Sequence, residues 1–169
     1  VRGARRGLIS RFTAASRRRF VFRLSNWHGA DRWVTLTTHD NIRRSPISSR
    51  MLGRFLTWCR SRGTLSYVWV RERQQRGAIH YHVWTRGLTA SEVDIRDAWL
   101  RAADELGDPD SRNHAVQVIP WTGPVWYAVA ESTKRFQKQA PPVHTFGTAG
   151  RFWSCSHDVA RSRIYAPLG

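Results

Sequence analysis

Acid is scarce in this chain: 12 Asp and Glu stand against 28 Lys and Arg in 169 residues, giving a formal charge of +16 and a pI near 11.6. An excess that large points to a polyanionic partner, most simply nucleic acid. Lysine is scarcer still, since only Lys134 and Lys138 interrupt a set of arginines. A GC-rich coding bias accounts for that skew, and it makes each lysine stand out. Two cysteines, Cys59 and Cys155, make no disulfide framework and fit a reducing compartment. No apolar run is long enough for a spanning helix, and no long basic amphipathic helix suits a membrane surface. The opening VRGARRGLISRFTAASRRRF has paired arginines but no apolar stretch after them, so it does not read as a signal peptide. No repeat, low-complexity tract or linker divides the chain, which predicts one domain over 1–169. The Gly-rich Lys-Ser/Thr loop of nucleotide hydrolases is missing, which excludes a built-in helicase.

What is present suffices for a core: 41% of residues are hydrophobic and nine are tryptophan. Some of those tryptophans must be core, and Trp27, Trp33, Trp84 and Trp126 are candidates for stacking on bases. Residues 1–19 read as a basic arm or short helix, and 19–25 (RFVFRLS) alternate like a strand. Residues 32–40 (RWVTLTTHD) predict a better strand, with Trp33, Thr35 and Thr37 on one face and Val34, Leu36 and Thr38 on the other. A helix is expected over 45–63, where Met51, Leu52, Phe55, Leu56 and Cys59 form the apolar stripe and Gly63 ends it. Strands over 64–73 and 78–85 form a hairpin about a turn at 74–77. A helix over 89–107 carries a capping box from Thr89 to Glu92, with Ser91 as the alternative cap. A strand at 114–120 and a helix at 123–139, stopped before Pro141-Pro142, follow. The tail over 150–169 packs back on the domain, with 150–156 a short strand or packing segment. The order predicts an α+β fold: a mainly antiparallel sheet with helices packed on it, compatible with an RRM-like split β-α-β layout.

Residues 77–85 read GAIHYHVWT. On a strand, residues two apart share a face, so His80 and His82 are neighbours roughly 6–7 Å apart while Tyr81 points away. Two imidazoles at that spacing can share a metal ion. If the hairpin turns near Gln75 and Arg76, Glu72 lies across from them and completes a two-His, one-carboxylate set. Such a set leaves open positions for a phosphate oxygen and water, suiting Mg²⁺ or Mn²⁺, with Zn²⁺ compatible from the ligands alone. The competing interpretation is a pair of ordinary surface histidines. On the helix over 123–139, Tyr127 and Lys134 are two turns apart on one face, separated by roughly 10 Å. Taken alone, that pair reads as a core tyrosine and a solvated lysine.

In combination, RWVTLTT, ERQQRGAIHYHVW, YAVAESTK and GRFW resemble, in order, the motifs of HUH endonucleases. More narrowly, they resemble the rolling-circle replication initiators of small single-stranded DNA phages and plasmids. The likeness covers about residues 32 to 153. It implies a nickase and strand transferase acting on single-stranded DNA. His80, His82 and Glu72 would bind the metal, and Tyr127 would form a 5′-phosphotyrosyl link, releasing a 3′-hydroxyl. Lys134 would sit near the tyrosine and the scissile phosphate, and Thr35 and Thr37 would lie beside the site and touch DNA. Phage initiators of this type often carry two tyrosines four apart, each followed three residues later by lysine. Here Ala130 and Glu131 replace the first lysine and the second tyrosine, which implies a one-tyrosine enzyme. Tyr67 and Tyr165 are the fallback nucleophiles.

Arginines 17–19, Arg43, Arg44, Arg71, Arg73 and Arg76 are expected to supply phosphate contacts. His39 and Asp40 read as a strand-end turn, and Cys155 with His157 as structural. The expected partner is an origin in single-stranded DNA, in some cases a hairpin, with helicase and polymerase supplied separately and no membrane. A mobile element or phage acting in the host cytoplasm fits. Two alternatives stay open: an HUH transposase or relaxase, and a non-catalytic RRM-like nucleic-acid-binding module.

Overall fold

A computed structural model describes residues 12–38, 45–73, 79–122 and 151–161, with 45–48, 73 and 161 described in backbone only. The elements in chain order are α1 (Ala14–Ser25), β1 (Arg32–Thr37), α2 (Ser45–Ser61), β2 (Ser66–Arg73), β3 (Ile79–Arg86), α3 (Glu92–Ala103), α4 (Pro109–His114), β4 (Val116–Pro120), β5 (Trp153–Cys155) and α5 (His157–Arg161). The expected turn at 74–77 and the expected helix at 123–139 lie outside the described residues.

The strands form one sheet in the order β4-β1-β3-β2-β5, with each neighbouring pair antiparallel. β3 lies between β1 and β2, and β1 between β3 and β4, so each helical connection spans a strand of the other unit. This is the split β-α-β arrangement, and the expected α+β class holds. The tail segment 150–156 joins the sheet as β5, with Trp153 opposite Val70 at the β2 edge.

The sheet is covered on both faces. On one, Val34, Leu36, Ile79, Tyr81 and Val83 pack under α2 and α3. α2 contributes the expected stripe, Met51, Leu52, Phe55, Leu56 and Cys59, all buried. Gly63, with φ of +89°, turns the chain out of α2. A Cβ there would come 2.9 Å from the carbonyl oxygen of Gly87, itself at φ +79°. Two glycines thus let the end of α2 pass against the end of β3.

The other face carries Trp33, Val68, Val70 and Trp84, packed against Phe12, Phe20, Leu24, Trp27 and Val159. Here the structure differs from the sequence reading. Residues 19–25 are not a strand but the C-terminal part of α1. Thr13 caps the helix by accepting from the Ser16 amide at 3.2 Å, and Phe20 and Leu24, one turn apart, are buried. Phe22, which made the segment alternate, is 44% exposed.

α3 is shorter than the expected 89–107. Its cap is Ser91, whose hydroxyl accepts from the Asp94 amide while the Asp94 carboxylate accepts from the Ser91 amide. Thr89 instead donates to the Arg62 carbonyl at 3.0 Å, fastening the chain to the end of α2. Asp104, in the left-handed conformation, ends the helix ahead of Gly107. α4 begins at Pro109 behind an Asp108 cap.

Candidate active site

The register of the central strands sets the site. Glu72 is directly opposite His80, and His80 is directly opposite Thr37; one pair along, His82 is opposite Thr35 and Val70. Partners across an antiparallel ladder share a face. Glu72, His80, His82, Thr35 and Thr37 therefore project together, on the face that α1 covers further along and away from α2 and α3. Tyr81 points the other way, buried beside Trp99 and Trp69.

Glu72 and His82 are in contact. The Nε2 of His82 lies 2.6 Å from the Glu72 carboxylate, and both residues are 8% exposed. On the other side of the imidazole, the Trp33 indole N–H donates to Nδ1 at 3.2 Å, and the Thr35 hydroxyl is also 3.2 Å from Nδ1. An indole nitrogen can only donate, so Nδ1 accepts and the ring proton sits on Nε2, facing Glu72. Trp33 stacks on Trp84 at 5.7 Å, which fixes the indole. The apolar cluster under α1 thus orients a polar site.

His80 is half-buried, its Nε2 3.3 Å from the Thr37 hydroxyl and its ring centroid 6.4 Å from that of His82. Thr37 is held from behind: its amide donates to the Ala115 carbonyl at 2.7 Å and its carbonyl accepts from Trp99 Nε1 at 2.7 Å. Both threonines that sequence reasoning placed beside the site therefore touch an imidazole. That reasoning put Trp33 on the same face but treated it as a stacking or core residue. Its role as a donor to His82 was signalled only by its position, two residues before Thr35.

The donor set suits a divalent cation: two imidazoles and a carboxylate on one face, at facing register. Among the described residues, however, no three His, Cys, Asp or Glu side chains stand in ligating geometry. The Nε2 of His82 and the carboxylate of Glu72 share a proton here, and a cation held by both would displace it.

Of the arginines expected to contact DNA, Arg71 is opposite Tyr81 and therefore on the face away from Glu72. Its guanidinium lies over the Phe152 ring, 4.9 Å from the centroid, and burial lowers its pKa against the opposing influence of the Tyr81 hydroxyl. Arg73 is described in backbone only, opposite Ile79. Arg43, Arg44, Arg76, Tyr127, Lys134 and Tyr165 lie outside the described residues, as do His39, Asp40 and Trp126. Tyr67 stands on the face away from the site, its hydroxyl 3.4 Å from Arg60. Trp27, Trp33 and Trp84 are core. No helix among the described residues is long and apolar enough to cross a membrane.

A family model for the replication-associated protein of the ORF2 type matches residues 31–140, a span that holds β1 through β4 and the whole Thr, His and Glu constellation. No curated protein and no solved structure matches the chain. With well over half its length matched, the chain belongs to this family of replication-associated proteins.

Proposed function

We propose that this protein is a metal-dependent endonuclease that nicks and rejoins single-stranded DNA to initiate rolling-circle replication. The observation that carries the reading is the buried Glu72–His82 contact with His80 on the same face, backed by hydroxyls from Thr35 and Thr37. A family tied to replication supports a DNA substrate, and so does the charge of +16.

Glu72, His80 and His82 would hold a magnesium or manganese ion. Bound there, the ion supplies Lewis acidity at a non-bridging phosphate oxygen. Thr35 and Trp33 fix the His82 ring, and Thr37 fixes His80, so both imidazoles meet the phosphate in one orientation. The nucleophile is Tyr127. Its phenol oxygen bonds to phosphorus as the P–O3′ bond breaks; the phenol proton leaves and the 3′ oxygen takes up a proton to depart as a hydroxyl. The 5′ phosphate stays esterified to Tyr127. One phosphate ester replaces another, so the step reverses when a 3′-hydroxyl returns, and nicking and joining use the same residues. Lys134 offsets negative charge at the phenolate and phosphate. The freed 3′-hydroxyl primes a separate polymerase, and a separate helicase opens the duplex.

The test is cleavage of labelled single-stranded oligonucleotides tiling the DNA that flanks the protein's own coding sequence, with Mn²⁺ or with EDTA. The reading expects Mn²⁺-dependent products whose new 3′ end a polymerase extends. Binding of the same DNA in EDTA, with no product on any oligonucleotide in Mn²⁺, would instead mark a binding module built on the same sheet.

A further inference from the structure

The family match begins at residue 31, so α1 lies outside it. Yet α1 lies across the sheet face that bears Glu72, His80 and His82. Phe20 meets Trp84 at 6.1 Å and Trp153 at 5.8 Å, and Trp153 Nε1 donates to the Ser16 hydroxyl at 3.0 Å. Trp153 is opposite Val70, and Val70 is opposite His82. The N-terminal end of α1 comes closest to the site: Phe12 stacks on Phe152 at 5.5 Å, and the Phe152 carbonyl accepts from the amide of Arg71, next to Glu72.

The charge on this helix is of one sign. Residues 1–30 contain eight arginines and no acid. Within α1, Phe20 and Leu24 point inward, whereas Arg18 and Arg19 are exposed beside Phe22. Among the described residues, Arg18, Arg19 and Arg23 form no ion pair. Arginines on the opposite layer are engaged differently: Arg54 pairs with Asp104, Arg96 with Glu92 and Arg112 with Asp97. Residues 89–110, which include α3, hold seven acids against two arginines. Positive charge without local compensation is therefore concentrated on the site face, while acid is concentrated behind the sheet. A helix that only needed to cover Trp33 and Trp84 would gain nothing from three consecutive arginines, which repel one another.

We propose that α1 is a nucleic-acid-binding element: Arg18 and Arg19 contact backbone phosphates of the strand leading to the Glu72–His82 site, with Phe22 exposed between them and Asn26 for a base to pack on. This rests on the nickase reading for the identity of the strand, but not on its chemistry. The contacts are sequence-independent and add affinity rather than choosing the cleavage site.

The experiment is fluorescence-anisotropy titration of a labelled oligo(dT) in EDTA over a range of salt. It compares wild type, Arg18→Gln/Arg19→Gln, and a control with the same charge loss behind the sheet, Arg50→Gln/Arg54→Gln. All four arginines are exposed and all three proteins should give the same circular dichroism and melting. Each phosphate contact contributes about 0.7 to the slope of log K against log salt on a single strand. The α1 variant should lose roughly 1.4 from that slope, and on the order of tenfold in affinity at low salt. The control should lose much less. Equal losses in the two variants would mean net charge alone is at work and would overturn the proposal. So would an unchanged slope, or an α1 variant that binds oligo(dT) normally but no longer binds phosphatidylserine vesicles. Mn²⁺-dependent cleavage by wild type is scored separately, so failure of the nickase reading leaves this result interpretable.

Discussion

Replacing Glu72 separates the structural from the chemical role of the site. In Glu72→Ala, the Nε2–H of His82 loses its acceptor at a position only 8% exposed. An orphaned buried donor costs about 1–3 kcal/mol. For a chain of this size each kcal/mol shifts Tm by roughly 2–4 °C, so a loss near 2 kcal/mol lowers Tm by about 4–8 °C. Glu72→Gln keeps an amide oxygen where the carboxylate was. It should stay within about 1 kcal/mol of wild type, the difference between a charged and a neutral acceptor. Mn²⁺ reverses the ranking. At 100-fold excess over its Kd, a cation that binds only the folded chain adds about 2.7 kcal/mol. Wild type should show the corresponding rise in Tm, and both variants should lose most of it. Differential scanning fluorimetry with Mn²⁺ or EDTA reads all six states. If Glu72→Ala melts with wild type in EDTA, the Glu72–His82 contact carries no stability. If Glu72→Gln keeps the full Mn²⁺ shift, the carboxylate is not a ligand.

Two further outcomes concern the frame around the site. Cys59 is buried under α2, and burial pushes its thiol up to about 12, whereas Cys155 is partly exposed on β5 with a thiol also raised by burial. A thiol reagent at pH 8 should therefore modify the native protein at Cys155 first and reach Cys59 only on unfolding, as peptide mass mapping would reveal; equal rates would contradict the burial of Cys59. The Ser91 hydroxyl and amide hold the exposed Asp94 carboxyl below its usual 3.8. A carboxyl depressed on folding stabilises the fold above its unfolded pKa, and that contribution fades as pH falls through the lower folded value. NMR titration should show Asp94 moving up toward 3.8 in Ser91→Ala; no movement would mean the cap is not formed.

Much of the site could be read from sequence because strand periodicity and hairpin register are local. The alternation of 32–38 and 78–85 put Trp33, Thr35, Thr37, His80 and His82 on single faces, and a turn near Gln75 and Arg76 put Glu72 opposite His80. The errors came where two patterns coincide. Phe20, Phe22 and Leu24 satisfy a period of two, while Phe20 and Leu24 also satisfy a helical turn; burial chose the second because Trp84 and Trp153 lie beneath it. Thr89-to-Glu92 and Ser91-to-Asp94 are both capping-box spacings, and the bond from Thr89 to Arg62 settled which one forms. α4, six polar residues without periodicity, had only Asp108-Pro109 to announce it. What could not be read locally was the second layer. That α1 and β5 flank the same sheet face depends on contacts between residues more than 130 apart, such as Ser16 with Trp153.

The central claim is that Tyr127 forms a covalent bond to DNA at a site built by Glu72, His80 and His82. The most direct measurement mixes wild type, Tyr127→Phe and Glu72→Gln with end-labelled single-stranded oligonucleotides from the flanking DNA in Mn²⁺, then separates the products on a denaturing protein gel. The account expects a labelled protein–DNA band for wild type, no such band for Tyr127→Phe, and a loss of roughly 10-fold to 100-fold for Glu72→Gln, as befits a lost ligand or its support. A band of wild-type intensity from Tyr127→Phe would contradict the assignment of the nucleophile, and no band from any protein on any oligonucleotide would contradict the nickase itself.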